Sequence, residues 1–392
     1  MVLEEATLNK LRLNSPQDGW FPALQDLFWF LSPSNLPCGD LFFSQHLKRI
    51  NIYVLWPWDI VALPLGTLQT LASIISALPT SNLERISLHT NYRAMPWTHF
   101  KDSFSSVILR CGSSFTDCDS SIPLSNAALH HLIHLPHLHT WHIYGPPPTY
   151  SASSLPLVFP PLKELTLRGG AACGWFSLLR RLEDGSSTTQ GVTPLSKTKE
   201  SLKVLNVEGV SSINIDASFV YTIQFFRNLV NLHVKVGCYD WRVDQCIFEL
   251  DNDSVAGLAM ALTQLESLVL GNPCSKNTCL TTVVCLLPIS VHCSKLEKLE
   301  IHFNTTNVVN DFKNILENPR FQQLRSLPKC PLTYLDVYRT PLSLHETDLK
   351  TVAKGMVDIF PSLRGCGGRE ESWGKLSEQI CTSRKAGSEC SL

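Results

Sequence analysis

Charge is scarce in this sequence. Asp, Glu, Lys and Arg make up 17% of its 392 residues and nearly cancel, leaving a formal net charge of −1. No basic surplus exists to grip nucleic acid or an anionic membrane. Long apolar runs are missing too: no stretch of 18 apolar residues occurs, so no membrane-spanning helix is expected. The first residues hold Glu4 and Glu5 and lack the basic-then-apolar order of a secretory signal. Catalytic signatures are equally absent: G-x-S-x-G, Walker A, H-E-x-x-H and dinucleotide glycine fingerprints are not found. What the chain does have is apolar content, 44% of residues, enough for a large core and too much for overall disorder.

It also has 14 cysteines. Without a leader-like segment they point to a reducing compartment, cytoplasmic or nuclear, and to free thiols at apolar positions. The sequons at Asn252 and Asn304 are then chance matches. Cys274, Cys279, Cys285 and Cys293 are the densest group. Their spacing differs from the tight pairs of zinc ribbons, and core or loop thiols are the better reading.

One phrase recurs along the whole chain: an apolar residue, two variable ones, an apolar residue, one variable, an apolar residue. It is found at Leu8-Leu11-Leu13, Leu24-Leu27-Trp29, Leu47-Ile50-Ile52, Leu83-Ile86-Leu88, Phe104-Val107-Leu109, Leu138-Trp141-Ile143 and Leu162-Leu165-Leu167. It continues at Leu202-Leu205-Val207, Leu229-Leu232-Val234, Leu265-Leu268-Leu270, Leu296-Leu299-Ile301 and Leu332-Leu335-Val337. A further copy starts at Leu363 and decays into "RGCGG". One such phrase means little; a dozen at intervals of 16 to 40 residues are the strand signature of a leucine-rich repeat. Between them, "TLQTLASIISAL", "DSVAGLAMALTQ" and "TDLKTVAKGMVDIF" carry helical apolar stripes, the second opening on the capping residues Asp253 and Ser254. The expected fold is an α/β leucine-rich-repeat solenoid of 12 to 13 irregular repeats: a curved stack with an inner parallel sheet and outer helices and loops. It should span residues 1–364, with long loops near 145–160 and 183–200, followed by a tail at 365–392 that is a short helix or disordered.

The phrase settles how to read "LHHLIHLPHLHTWHI" at residues 129–143, whose six histidines suggest a metal site. In phrase register, Leu138, Trp141 and Ile143 point inward and His142 and Tyr144 face the sheet surface. His130 and His134 lie one turn apart on an outer helix face. Two potential ligands without a third do not make a zinc site. No metal, cofactor or catalytic residue is expected.

What remains is surface. Variable positions of the phrases should line the concave sheet and bind a protein partner, as extended solenoid surfaces do. The candidates are Arg49 and Tyr53, Arg85 and Arg110, His142 and Tyr144, Arg168, His233 and Lys235, and Tyr334, Asp336 and Tyr338. Arg and Tyr combine apolar contact with hydrogen bonding and are enriched at interfaces.

The phrases "PTSNLERISLHTN", "FPPLKELTLRG", "LTQLESLVLGNPCS", "SVHCSKLEKLEIHFNT" and "DIFPSLR" together resemble the divergent leucine-rich-repeat region of F-box proteins abundant in basidiomycete fungi. The resemblance implies a non-enzymatic substrate-recognition scaffold of an SCF-type ubiquitin ligase, its repeats holding an unknown substrate protein. In that family an N-terminal F-box docks the SCF adaptor. Here the first phrase begins at Leu8, which leaves no room for one. The chain is therefore read as a fragment, a truncated product or an F-box-less paralogue, with the adaptor a partner only if an F-box is missing. Another class stays open: a GTPase-activating leucine-rich-repeat protein, which would offer an arginine to a small GTPase.

Overall fold

A computed structural model describes residues 21–32, 42–55, 64–90, 97–144, 160–168, 179, 197–209, 217–236, 249–271, 279–319, 330–337, 340, 342, 344–368 and 370–389. The phrase at Leu8 and nearly all of the loops expected at 145–160 and 183–200 lie outside the described residues. The chain divides into two compact units, Met1–Leu165 with Ser187–Thr198, and Thr166–Ser186 with Lys199–Leu392.

In the first unit the alternation of apolar and variable residues produces short strands, since successive side chains of an extended segment leave on opposite faces. They are β1 (Asp26–Leu31), β2 (Arg49–Val54), β3 (Arg85–Thr90), β4 (Asp117–Ser120) and β5 (Thr140–Tyr144). Each pairs in parallel with the next, so Leu27, Ile50, Ile86, Cys118 and Trp141 stand opposite one another in one buried row. β6 (Glu164–Arg168) begins in this unit and ends in the second. The second unit repeats the arrangement with β7 (Val204–Gly209), β8 (Asn231–Val236), β9 (Ser267–Gly271), β10 (Lys298–Ile301), β11 (Tyr334–Asp336) and β12 (Gly365–Gly367). Its row is Leu205, Leu232, Leu268, Leu299, Leu335 and Cys366. Each buried aliphatic side chain in such a row contributes about 1.5–3 kcal/mol of transfer free energy. Strands paired in sequence order with helices between them make this fold an α/β leucine-rich-repeat solenoid.

A backbone device sets the register. The residue after the first apolar position of a phrase accepts, through its carbonyl, two consecutive amides from the next coil. Gln25 O takes Lys48 N and Arg49 N at 2.8 and 3.0 Å; Lys48 O takes Glu84 N and Arg85 N at 2.7 and 3.0 Å. Lys203, Val230 and Glu266 do the same in the second unit. A slip of one residue would break both bonds and turn the apolar row outward.

This device corrects one phrase. Phe104, Val107 and Leu109 do not form a strand: they belong to α2 (Lys101–Arg110), which follows α1 (Leu65–Ser76) and precedes α3 (Asn126–Ile133). The spacing i, i+3 is shared by helix and phrase. Here Phe104, Val107 and Ile108 make the buried stripe, and Leu109 is 45% exposed. The strand of that coil is β4, on Phe115, Cys118 and Ser120, all buried; Glu84 O takes Thr116 N and Asp117 N at 2.7 and 3.1 Å. Cys and Ser at the second and third positions hide the phrase from an aliphatic pattern.

The helices of the second unit are α4 (Ala217–Ile223), α5 (Asn252–Ala261), α6 (Leu286–His292), α7 (Val308–Glu317), α8 (Glu346–Ile359) and α9 (Glu371–Glu389). The cap of α5 is Asp251, whose Oδ1 accepts from Ser254 N at 2.8 Å; Asp253 and Ser254 lie within the first turn. A carboxylate that satisfies an otherwise orphan amide is worth about 1 kcal/mol. Among the described residues no helix is long and apolar enough to cross a membrane.

The last strand is covered. Gly365 and Gly367 pair with Tyr334 and Asp336, and α9 packs on β12 and α8. Trp373, Leu376 and Ile380 of α9 are fully buried, and Trp373 Nε1 donates to Thr340 O at 2.8 Å. An uncovered β12 would present an open edge to other strands.

Candidate functional site

Two strand faces carry the candidate residues, one in each unit. On the first, the outward row runs Phe28, Asn51, Ser87, Asp119 and His142 from β1 to β5. Phe28 and Phe30 are 60% and 50% exposed, and their rings meet edge to face at 5.0 Å. Tyr53 touches both, with centroids at 6.4 and 5.9 Å, and lies 5.1 Å from the ring of His89. An aromatic band thus crosses β1, β2 and β3 and ends on a polar network.

That network centres on Asp119. His89 Nε2 and His142 Nδ1 approach Asp119 Oδ2 at 3.1 and 3.4 Å, and His142 Nε2 lies 3.1 Å from Glu164 Oε1. A carboxylate only accepts, so an imidazole that donates from both nitrogens is in its charged form. Burial of His142 opposes that charge, but the bonds to Asp119 and Glu164 outweigh it and push its pKa up to about 9. Asp119 responds in the opposite sense. Its burial disfavours ionisation, yet the bonds from His142 and His89 hold the carboxyl well below the usual carboxylate range. Glu164 is lowered chiefly by its bond from His142.

Ser87, His89 and Asp119 have the composition of a hydrolytic triad, and their geometry is a different one. Ser87 Oγ at 2.7 Å and Asp119 Oδ2 at 3.1 Å both meet the same nitrogen, His89 Nε2. A proton relay needs the base and its orienting acid on opposite ring nitrogens. Here one N–H is shared between a hydroxyl oxygen and a carboxylate, which is a positioning bond. Among the described residues no group of three or more His, Cys, Asp or Glu side chains could hold a metal ion.

On the second unit's face the charges are cross-linked between strands. Arg168 Nε lies 3.0 Å from Glu208 Oε2, and Asn206 Nδ2 donates to Thr166 Oγ1 at 3.1 Å. Glu300, only 9% exposed, sits between Lys298 Nζ at 2.6 Å and Lys235 Nζ at 3.4 Å. His233 is half-buried, and burial together with Lys235 holds its pKa down. Tyr334 is 51% exposed and lies across the glycines of β12: a Cβ on Gly367 would stand 2.0 Å from its hydroxyl.

The sequence candidates are placed as follows. Arg49 pairs with Asp26, Nη2 to Oδ2 at 2.9 Å; Tyr53 joins the aromatic band; Arg85 is exposed, between Arg49 and Asp117 in register. His142 is at the centre of the polar network. Tyr144 ends β5, with its side chain outside the described residues, as is the whole of Tyr338. Arg168, His233, Lys235, Tyr334 and Asp336 occupy outward positions on β6, β8 and β11. Arg110 is a correction. It is in the last turn of α2, donating to Ser106 O at 3.2 Å and Ser76 O at 2.6 Å, away from any strand. Its misplacement follows from the phrase at Phe104.

Two residues of the network carry no clear signal in the sequence. Asp119 was hidden with β4 itself. His89 follows the last apolar residue of its phrase, and its signal was available only through Tyr53, the register neighbour one strand away.

No family model matches the chain, and no curated protein matches it in sequence. Solved structures do match. One is a chain from the crystal structure of the Rad7 and Elc1 complex in yeast, 17% identical, covering 83% of this chain and 72% of that one at a TM-score of 0.46.

Proposed function

We propose that the chain is a protein-interaction scaffold that holds a partner on its strand faces. The observation that carries this reading is the aromatic band of the first unit. Large rings on a sheet surface cost hydration free energy unless something covers them, and exposed aromatics are typical anchors of interfaces. Phe28, Phe30 and Tyr334 are each at least half exposed. Several charges around them are already paired, Arg49 with Asp26 and Arg168 with Glu208, so those side chains lose little ordering entropy when a partner binds.

The finer role we infer is recognition of a substrate protein for ubiquitination, as the repeat region of an F-box protein does. What supports it is the wording of the repeat phrases. The alternative, regulation of a small GTPase, needs an arginine able to enter another protein's active site. Arg49 and Arg168 are held by carboxylates and Arg110 by carbonyls, which leaves exposed Arg85 as the candidate on which the GTPase reading turns.

The test is affinity purification from the source cells with the parent chain and with Phe28→Ala/Phe30→Ala and Tyr334→Ala variants. A partner retained by the parent and lost from at least one variant supports the scaffold. Partners held equally by all three would refute the strand faces as the binding surface. Co-purification of an SCF adaptor, or stimulated GTP hydrolysis by a small GTPase, decides between the finer roles.

A further inference from the structure

The first unit's face carries two buried acceptors that nothing among the described residues satisfies. Asp119 uses Oδ2 for both histidines, while its Oδ1 is buried without a hydrogen-bond partner among the described residues. Asn51 Oδ1, in the same outward row, is in the same state. Buried acceptors are satisfied in nearly all folded proteins, so a further donor reaching either oxygen would gain a full hydrogen bond. Beside them stands the aromatic band of Phe28, Phe30 and Tyr53. Charge points the same way. On these strands Asp26 is neutralised by Arg49, and Asp117, Asp119 and Glu164 outnumber Arg85 and the imidazolium of His142.

A group that fits has a flat, weakly hydrated face for the rings, a positive charge, and several donors with no acceptor. The guanidinium has all of these; an ammonium has the charge and donors without the flat face. An anionic ligand would meet surplus carboxylates, and a purely apolar one would leave both oxygens unsatisfied.

We propose that this face seats arginine side chains of a partner protein, their N–H groups reaching Asp119 Oδ1 and Asn51 Oδ1 and their guanidinium planes lying on the Tyr53, Phe28 and Phe30 rings. Both oxygens are covered in the free chain, so an arginine enters by turning a neighbouring side chain aside, a common adjustment at interfaces. The proposal rests on the scaffold reading and names the chemistry of its partner.

The probe is a fluorescent peptide of four Gly-Arg-Ser repeats, compared by polarisation with its citrulline and lysine counterparts on the full chain. Citrulline keeps the shape and loses the charge. The arginine peptide should bind about tenfold tighter than the citrulline one, the usual scale for a hydrogen bond to a charged group. It should also bind about threefold tighter than the lysine peptide, for the lost stacking. Asp119→Asn should remove most of the arginine preference. That variant touches the histidine network, so its melting curve is recorded, and Phe30→Ala, at an exposed ring, serves as the second variant, with about threefold weaker binding. Lys298→Ala in the second unit should change nothing. Equal binding of arginine and citrulline peptides, or of arginine and lysine peptides, overturns the proposal. So does parent-like binding by both Asp119→Asn and Phe30→Ala. A cellular partner whose binding survives those two variants but falls with Tyr334→Ala sinks the arginine seat and leaves the scaffold standing.

Discussion

His142 gives the sharpest test of the network, because its charge should be visible in stability. Its folded pKa is about 9, against 6.5 when unperturbed. A group whose pKa is raised on folding adds stability that is complete below the unfolded value and lost as pH climbs through the folded one. The window is therefore pH 6.5 to 9. At 1.36 kcal/mol per unit, the full contribution is on the order of 3 kcal/mol. The side chain is 20% exposed, so screening by solvent removes little of it. Asp119 and Glu164 act elsewhere: their lowered values give stability present above about pH 4 that is lost only in acid. His142→Gln keeps a donor and an acceptor and cannot charge. Urea unfolding of both proteins from pH 6 to 9.5, followed by the fluorescence of the chain's tryptophans, supplies the comparison, with buried Trp29 and Trp141 reporting from the first unit. Subtracting the two stability curves cancels contributions from His233, His302 and the buried thiols. The gap should be widest at pH 6 and close by about 2–3 kcal/mol by pH 9.5. A gap constant across that range, or a His142 ring proton titrating near 6.5 by NMR, would refute the double-carboxylate clasp.

Other expectations follow from packing. Trp373→Ala empties a fully buried site over β12 and removes the bond to Thr340 O, and should cost about 3–5 kcal/mol in urea unfolding; a loss below 1 kcal/mol would show that α9 does not hold the end of the sheet. Gly355→Ala sets two effects against each other: helix propensity in α8 favours Ala by about 1 kcal/mol, but the new Cβ would lie 2.4 Å from Cδ1 of buried Phe312. Overpacking of a core ring costs about 1–3 kcal/mol, so the thermal midpoint should fall, and a rise would show that Phe312 yields freely. Among the described cysteines, Cys381 is exposed and Cys111, Cys118, Cys279, Cys285, Cys293, Cys330 and Cys366 are buried. Burial pushes the Cys111, Cys293 and Cys366 thiols up to about 12 and Cys330 to about 11. Alkylation at pH 8 followed by peptide mapping should modify Cys381 and leave the buried seven until urea is added; early labelling of Cys293 would show local opening of α6.

Much of this fold could be read because the strand phrase repeats a physical requirement. Every coil must present apolar residues two apart toward the helices, and Leu, Ile, Val and, at β1 and β5, Trp announce them at β1–β3 and β5–β11. Where Cys118 and Ser120 fill those places, the requirement is met by small buried side chains, and the aliphatic pattern passes over β4 to a helix with the same i, i+3 spacing. The cap of α5 shows the same limit at short range. Asp251, Asp253 and Ser254 are all plausible caps, and only the backbone angle at Asp251 places its carboxylate over the free amides.

The sequence by itself determined the repeat, its alternation and, β4 apart, which residues leave the sheet on the outer side of a strand. That follows from the two-residue period of extended chain, a local property. What only the tertiary structure decided is which of those residues meet. Asp119, His89, His142 and Glu164 come from strands separated by 22 to 30 residues or more, and parallel pairing sets them side by side. Their charge states, the unsatisfied buried acceptors of Asp119 and Asn51, and the aromatic band beside them arise from register between coils, which no single segment encodes.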